Sequence, residues 1–275
     1  MVEKVKGNIH LIEFKSINEF IDYITNMPTN NAFKNASLSS KETGFDRTEF
    51  TKTETFEDAV SLLKNGWSEK ASELNNRIKA DKSFSYETRR KTIKSVAGYQ
   101  AIVPAYLMGM PNSMVSSMVV AQKSKIITIN KMIGYNAMVS AETITAESIK
   151  ALRIVQKLEA QGFRVNLNIV RDNRTWGCND RYIVKVCVKK ANERLNVSKV
   201  AFPLCHPSML RRLMFRWQEV YPNMSRFFVG GYGSSPDVFE TIEAFKKFGV
   251  NEIIIPNFLE KRVDDIHSIE DLIET

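Results

Sequence analysis

Cysteine and histidine are scarce in this chain, three of each in 275 residues. The cysteines, Cys178, Cys187 and Cys205, are odd in number and spaced without a framework, which argues against a disulfide scaffold and for a reducing, intracellular setting. Cys205 and His206 are adjacent, but His10 and His267 are remote in sequence, so no zinc-ligand spacing exists. A core thiol beside a histidine at a helix start is the expected reading. No apolar run approaches the roughly 20 residues needed to cross a bilayer, so no membrane partner is expected. The opening Met1–Lys6 lacks the apolar stretch of a secretory leader. Also missing are a Walker A ending, a G-x-G-x-x-G fingerprint, and any nucleophile or carboxylate pair with a partner at useful spacing. The expectation is a protein that is not an enzyme and carries no cofactor.

Charge is present, and unevenly placed. The net charge is +8, yet residues 171–226 hold 12 basic against 4 acidic side chains, and residues from Asp237 onward hold 4 against 10. A second basic cluster comprises Arg77, Lys79, Lys82, Arg89, Arg90, Lys91 and Lys94. Such asymmetry suits a polyanionic partner, or an electrostatically complementary self-contact in a homo-oligomer.

Periodicity places the elements. Asn8–Phe14 reads as a strand and Ile17–Ile24 as a helix. Residues 26–48 are rich in Asn, Ser, Thr and Gly and read as loop. A helix follows from Thr55, with Asp58 as a weaker form of the capping box and Gly66 as its stop. Another runs over 68–80. Residues 96–111 are apolar but broken by two glycines and two prolines, which predicts a packed, irregular connector. Lys125–Asn130 is a short apolar strand, the pattern of burial on both faces. A helix capped by Thr145 ends before Gly162. Residues 163–170 alternate as a half-exposed strand, and 182–188 alternate again. The polar 171–181 between them predicts an antiparallel hairpin with a basic tip bearing Trp176. Pro207 opens a helix with Met209, Leu210, Leu213, Met214 and Trp217 inward and Arg211, Arg212 and Arg216 outward. Ser235, Pro236 and Asp237 read as the cap and first turn of a further helix. A strand over 252–256 leads to Asn257 and an acidic tail. The organisation expected is a mainly helical region over 1–115 and an α/β domain over 116–275.

The order from Lys125 onward, strand, helix, strand, strand, helix, glycine-rich loop, helix, strand, resembles a von Willebrand factor A-type domain with its doubly wound, mixed sheet. That family binds a metal where three loops meet at the strand ends, through an Asp-x-Ser-x-Ser loop, a Thr and a later Asp. Asn130 falls at the first Asp, Gly230–Ser235 at the Thr and Asn257 at the last Asp, so the resemblance implies a degenerate site without the charged ligands. Further stretches, Thr53–Val60 with Asn65-Gly-Trp67, Val103–Met114 and Phe202–Arg212, resemble a family of phage- and plasmid-encoded proteins of unassigned function. That resemblance implies a viral or mobile-element protein in the cytoplasm of a bacterial host cell.

Two candidate surfaces emerge. The strand-end crevice would gather Asn130, Ser140, Glu142, Ser234, Ser235 and Asn257, whose mainly neutral oxygens suit a divalent cation poorly, so no metal is assigned. Gly230–Asp237 also opens on a helix N-terminus, where an anion can sit, although a structural turn with an ordinary cap is the favoured reading. The basic surface would gather Arg171, Arg174, Trp176, Arg181, Lys185, Lys189 and Lys190, with Arg211, Arg212 and Arg216 as a similar face. Cations interleaved with an aromatic suit phosphate contact and base stacking, or a solvated surface partly paired with the acidic end of the chain. The leading expectation is a non-enzymatic, protein-binding protein that uses the crevice and the hairpin. The alternative is a nucleic-acid-binding protein that uses the basic clusters.

Overall fold

The computed structural model describes residues 1–33, 38, 40–79, 90–119, 125–174, 180–222, 224 and 232–259. Trp176, expected at a hairpin tip, Lys82 and Arg89 of the second basic cluster, Gly230 and the acidic tail lie outside the described residues, as do the side chains of Arg77, Lys79 and Arg90.

The chain opens with β1 (Val2–Lys6) and β2 (Ile9–Phe14). Helices α1 (Ile17–Asn26), α2 (Phe45–Thr51), α3 (Phe56–Asn65) and α4 (Ser68–Lys79) follow. Next come β3 (Arg90–Ser95), β4 (Gln100–Ala101), α5 (Val103–Leu107) and β5 (Met114–Val119). The remainder runs β6 (Ile126–Met132), α6 (Ala141–Ala160), β7 (Arg164–Arg174), β8 (Arg181–Lys189) and α7 (Val197–Cys205). A π-helical turn, Met209–Met214, then feeds α8 (Phe215–Val220), and α9 (Val238–Lys247) and β9 (Ile253–Ile255) complete the described elements. Among the described residues no helix is long and apolar enough to cross a membrane.

The protein is a mixed α/β fold. Its main sheet has the order β1-β2-β8-β7-β6-β9, with β2–β8, β7–β6 and β6–β9 parallel and the other two pairings antiparallel. The antiparallel hairpin expected around residues 171–181 is β7–β8. The first fourteen residues enter this same sheet, because β2 pairs along β8 from Ile9–Arg181 to Phe14–Val186. One apolar core takes in Ile12, Phe20, Leu63, Ile129, Leu152, Val184, Trp217 and Ile255, so residues on both sides of position 115 share it. The region up to 115 carries strands as well as helices. A smaller cluster packs Leu11, Met132, Ile183 and Ile254 against Ala244 and Phe245 of α9. With both clusters in place β7 is buried without a break from Leu167 to Asn173, where alternation predicts a half-exposed strand.

Local chemistry sets the helix ends. Ser16 accepts from Glu19 N at 3.2 Å, and Thr55 and Asp58 cap each other reciprocally at the start of α3. Gly66 is required after α3, since its φ is +88° and an added Cβ would lie 2.9 Å from the Ser198 carbonyl oxygen. Two expected caps are displaced. Ser140, not Thr145, caps α6, accepting from Thr143 N at 3.2 Å, while Thr145 donates to Ala141 O one turn inside the helix. Asp237, not Ser235, caps α9.

Residues 96–111 do not form a packed connector. With their flanks they make a separate antiparallel sheet of order β3-β5-β4, carrying α5 at its tip. Tyr99, Val103, Tyr106, Leu107 and Met108 are each more than 60 % exposed. The glycines and prolines that break the periodicity mark the turns between short elements. Burial is the wrong expectation here because the described part of this arm packs chiefly on itself.

Candidate functional site: a cationic crevice at the strand ends

A cavity of about 520 Å³ opens where β6, β7 and β9 end. It is lined by Gly134–Ala137 after β6, by Arg171–Asn173 of β7, by Tyr232–Ser235, and by Asn257 and Phe258 after β9, with Phe50, Arg211 and Phe215 among the other walls. Two glycines let these segments meet. A Cβ on Gly134 would fall 2.2 Å from Ser235 Oγ, and one on Gly233, at φ +82°, would fall 2.2 Å from Asn173 Oδ1. Ser234 is tied to the end of β7 by a two-way backbone bridge with Arg174. Asn257 Nδ2 donates to Gly134 O at 3.1 Å, joining the β9 and β6 ends.

The side chains around this cavity are short of partners. Buried and without a hydrogen bond among the described residues are Arg171 Nη1, Asn173 Nδ2, Arg211 Nε, Ser235 Oγ and Asn257 Oδ1. Arg171 is held by Nη2 donating to Tyr232 O at 2.9 Å and by the Phe215 ring, 4.9 Å from its guanidinium carbon. Phe215 in turn stacks on Tyr232 with ring centroids 3.9 Å apart. Arg211 donates to Phe50 O, Ala137 O and Val139 O and lies 4.3 Å over the Phe50 ring. Burial lowers the Arg171 guanidinium to about 9, which still leaves it cationic at neutral pH. Burial lowers Arg211 as well. The Asp172 carboxylate at this end of β7 is already engaged, by Arg181 Nε at 2.9 Å and Nη2 at 2.5 Å and by Thr241 Oγ1 at 2.8 Å. The crevice is therefore cationic, walled by aromatic rings, and carries donors that no described acceptor meets.

Of the six residues expected in the crevice, Ser234, Ser235 and Asn257 line it and three do not. Asn130 lies inside β6, two residues short of the strand end at Met132. Its Nδ2 donates to Glu252 Oε2 at 2.8 Å and its Oδ1 accepts from Asn168 at 2.9 Å. Glu252 also receives Lys185 Nζ at 2.6 Å, and Lys185 reaches Glu13 at 3.4 Å, so Asn130 belongs to a polar chain across the sheet. Ser140 serves as the α6 cap, and Glu142 is exposed in the first turn of α6. Among the described residues no group of three or more His, Cys, Asp or Glu could hold a metal ion.

The basic surface expected on the hairpin is largely internal. Arg181, Lys185 and Lys189 are all buried, and each neutralises a carboxylate: Asp172, Glu252 and Glu159 respectively. Arg174 is exposed but pairs with Glu240 at 2.6 Å, and Lys190 is exposed. Trp176 lies outside the described residues. The outward face expected of Arg211, Arg212 and Arg216 is absent, since the three are 5 %, 0 % and 4 % exposed. Arg212 donates to Ser40 O, Glu42 O, Thr53 O, Glu54 O and Thr53 Oγ1. Arg216 donates to Ile24 O, Met27 O and Thr29 Oγ1 and lies 3.5 Å from Glu219. Residues 24–29 and 40–54 thus supply the oxygens that enclose these arginines. In sequence most of these residues fall in or beside the polar loop read over 26–48.

Cys205 and His206 are a core pair, 0 % and 6 % exposed. Burial raises the Cys205 thiol to about 12 and lowers His206 to about 4. Neither is set up as a nucleophile or a base.

Residues 2–274 match the model of a family described as a domain of unknown function, DUF7192, and the chain belongs to that family. No curated protein and no solved structure matches it.

Proposed function

We propose that the protein is a non-enzymatic binding protein whose strand-end crevice receives an anionic group carried by a partner protein. One observation supports this above all: Arg171, Asn173 and Arg211, each with a buried donor that no described acceptor meets, all line one cavity. A buried donor without an acceptor costs about 1–3 kcal/mol, more for a charged group. An incoming carboxylate or phosphate oxygen would recover that cost, and a guanidinium suits either. The volume lies in the range of ligand pockets, and the walls of Phe50, Phe215, Tyr232 and Phe258 suit an anion borne on an apolar or aromatic group.

The run β8-β7-β6-β9, with β8 reversed, supports a von Willebrand A-like arrangement, and the crevice lies outside the carboxyl ends of parallel strands, where open α/β sheets take ligands. The likeness of the sequence motifs to phage and plasmid proteins supports a partner encountered inside a bacterial cell.

The test is thermal stabilisation by phosphate, sulfate and acetate against chloride at matched ionic strength. A bound anion stabilises by about 2.7 kcal/mol at a concentration 100 times its Kd, and Arg171→Gln should abolish the shift. An equal shift in that variant would reject the crevice as the site. Single-strand oligonucleotide binding that weakens in Lys190→Glu but not in Arg171→Gln would move the assignment to the exposed basic residues.

A further inference from the structure

The arm formed by β3, β4, α5 and β5 is a second surface, separate from the crevice. From Ser95 through Gln122 the sequence has no charged side chain, although 25 % of the whole chain is charged. Within residues 91–118 only Ala105 and Ser113 are buried. A three-stranded sheet needs an apolar face packed against something to be stable in water. Here the exposed apolar side chains are carried by the turn before β4, by α5 and by the residues just after it. Tyr99, Val103, Tyr106, Leu107, Met108 and Met110 are 67 %, 61 %, 67 %, 79 %, 66 % and 52 % exposed.

We propose that the tip of the arm, residues 96–110, is a self-association surface whose occupant is the tip of a second copy of this chain. Three observations favour that occupant. Together with Val96, the six side chains expose on the order of 1,000 Å², against roughly 800 Å² per partner in an interface of standard size. The absence of charge is the composition of an interface core. It matters more for a self-contact, because a chain of net charge +8 repels its own copy as a whole and two charge-free tips add nothing to that repulsion. The outer edge of β3 is the other route to pairing, but Lys91 and Lys94 on that strand oppose each other's approach and leave the tip. The backbone of the tip is also fixed in advance. Ile102 N donates to Ser113 O at 2.7 Å, Met108 N to Pro104 O at 3.1 Å and Met110 N to Ala105 O at 3.0 Å. Association therefore orders side chains and not backbone, which lowers its entropic cost.

Sedimentation equilibrium of the full chain tests this from about 1 to about 100 µM, the concentration range of a micromolar Kd. The unaltered chain should approach twice its own mass. Leu107→Glu with Met108→Glu should remain monomeric with an unchanged circular dichroism spectrum, while Phe45→Glu, at an exposed site on α2, should still dimerise. A monomer throughout the range would overturn the proposal, and so would a dimer that survives both glutamates. A monomer that co-sediments with phosphatidylglycerol vesicles and loses them on the same double substitution would overturn it too, by assigning the tip to a lipid surface.

Discussion

Two stretches of this chain invert each other. From Val197 to Val220 the helices carry Arg211, Arg212 and Arg216 into the interior, while from Val96 to Met110 the arm leaves tyrosines, a leucine and methionines in solvent. Hydropathy predicts the opposite in both places. Partners decide instead. A guanidinium has five donors, and Arg212 finds four carbonyls and a hydroxyl for them, which makes full burial tolerable. The arm finds no such complement among the described residues: its apolar side chains face water. The same inner stretch seats Glu219 at 0 % exposure between Ser40, Tyr232 and Arg216, so the helical layer and the polar segment over it are cross-braced by charge.

Arg212 is where the contrast can be broken most severely. Arg212→Met should orphan that set of acceptors and cost about 3–5 kcal/mol in urea unfolding, since each buried acceptor left unmet costs about 1–3 kcal/mol and several are left at once. A loss under about 1 kcal/mol, the scale of an ordinary hydrogen bond, would mean that water reaches these carbonyls. A smaller effect comes from pH. His206 stays neutral in the folded chain down to about 4 but protonates near its ordinary 6.5 when unfolded. Between those values the unfolded chain binds more protons, so this contribution is fully present above about pH 6.5 and is lost as pH falls toward 4. It amounts to roughly 3 kcal/mol. His206→Asn keeps an acceptor where Nδ1 takes Ser208 N at 3.1 Å, and should flatten the acid limb of a plot of melting temperature against pH. The smallest effect belongs to the arm. At concentrations too low for association, Leu107→Glu should change the stability measured in urea by less than about 0.5 kcal/mol, as an exposed substitution does. A larger loss would show that the arm docks on the main body after all.

What is legible in the sequence follows the same division. The strands of β6, β7 and β8, the hairpin, the α3 capping box and the Gly66 stop can be read, because each depends on neighbours a few residues away. The crevice is half legible. Ser234, Ser235 and Asn257 stand beside strand ends and are found there, whereas Asn130 is not, because β6 runs on to Met132 and because Glu252, its partner, comes from beside another strand. Arg171 and Arg211 read as surface cations. Nothing local distinguishes a solvated arginine from one whose acceptors arrive from sixty or more residues away. The 3.6-residue repeat also misreads the helix after Pro207, since Met209–Met214 is π-helical and all six of its residues are buried. The arm is misread for the converse reason, because an apolar, charge-free run reads as interior.

The parallel pairing of β2 with β8 has a consequence for how the chain is made. Ile9 pairs with Arg181 and Phe14 with Val186, so β1 and β2 have no seat in the sheet until residues 181–186 emerge. At about 5–20 residues per second that delay is roughly 10–35 s. Through that interval β1 and β2 have only each other, and a two-stranded hairpin is marginal in water. Strands made early are thus built into the main sheet late, and a ribosome paused before β8 would hold them out in solution, open to whatever reaches the nascent chain first.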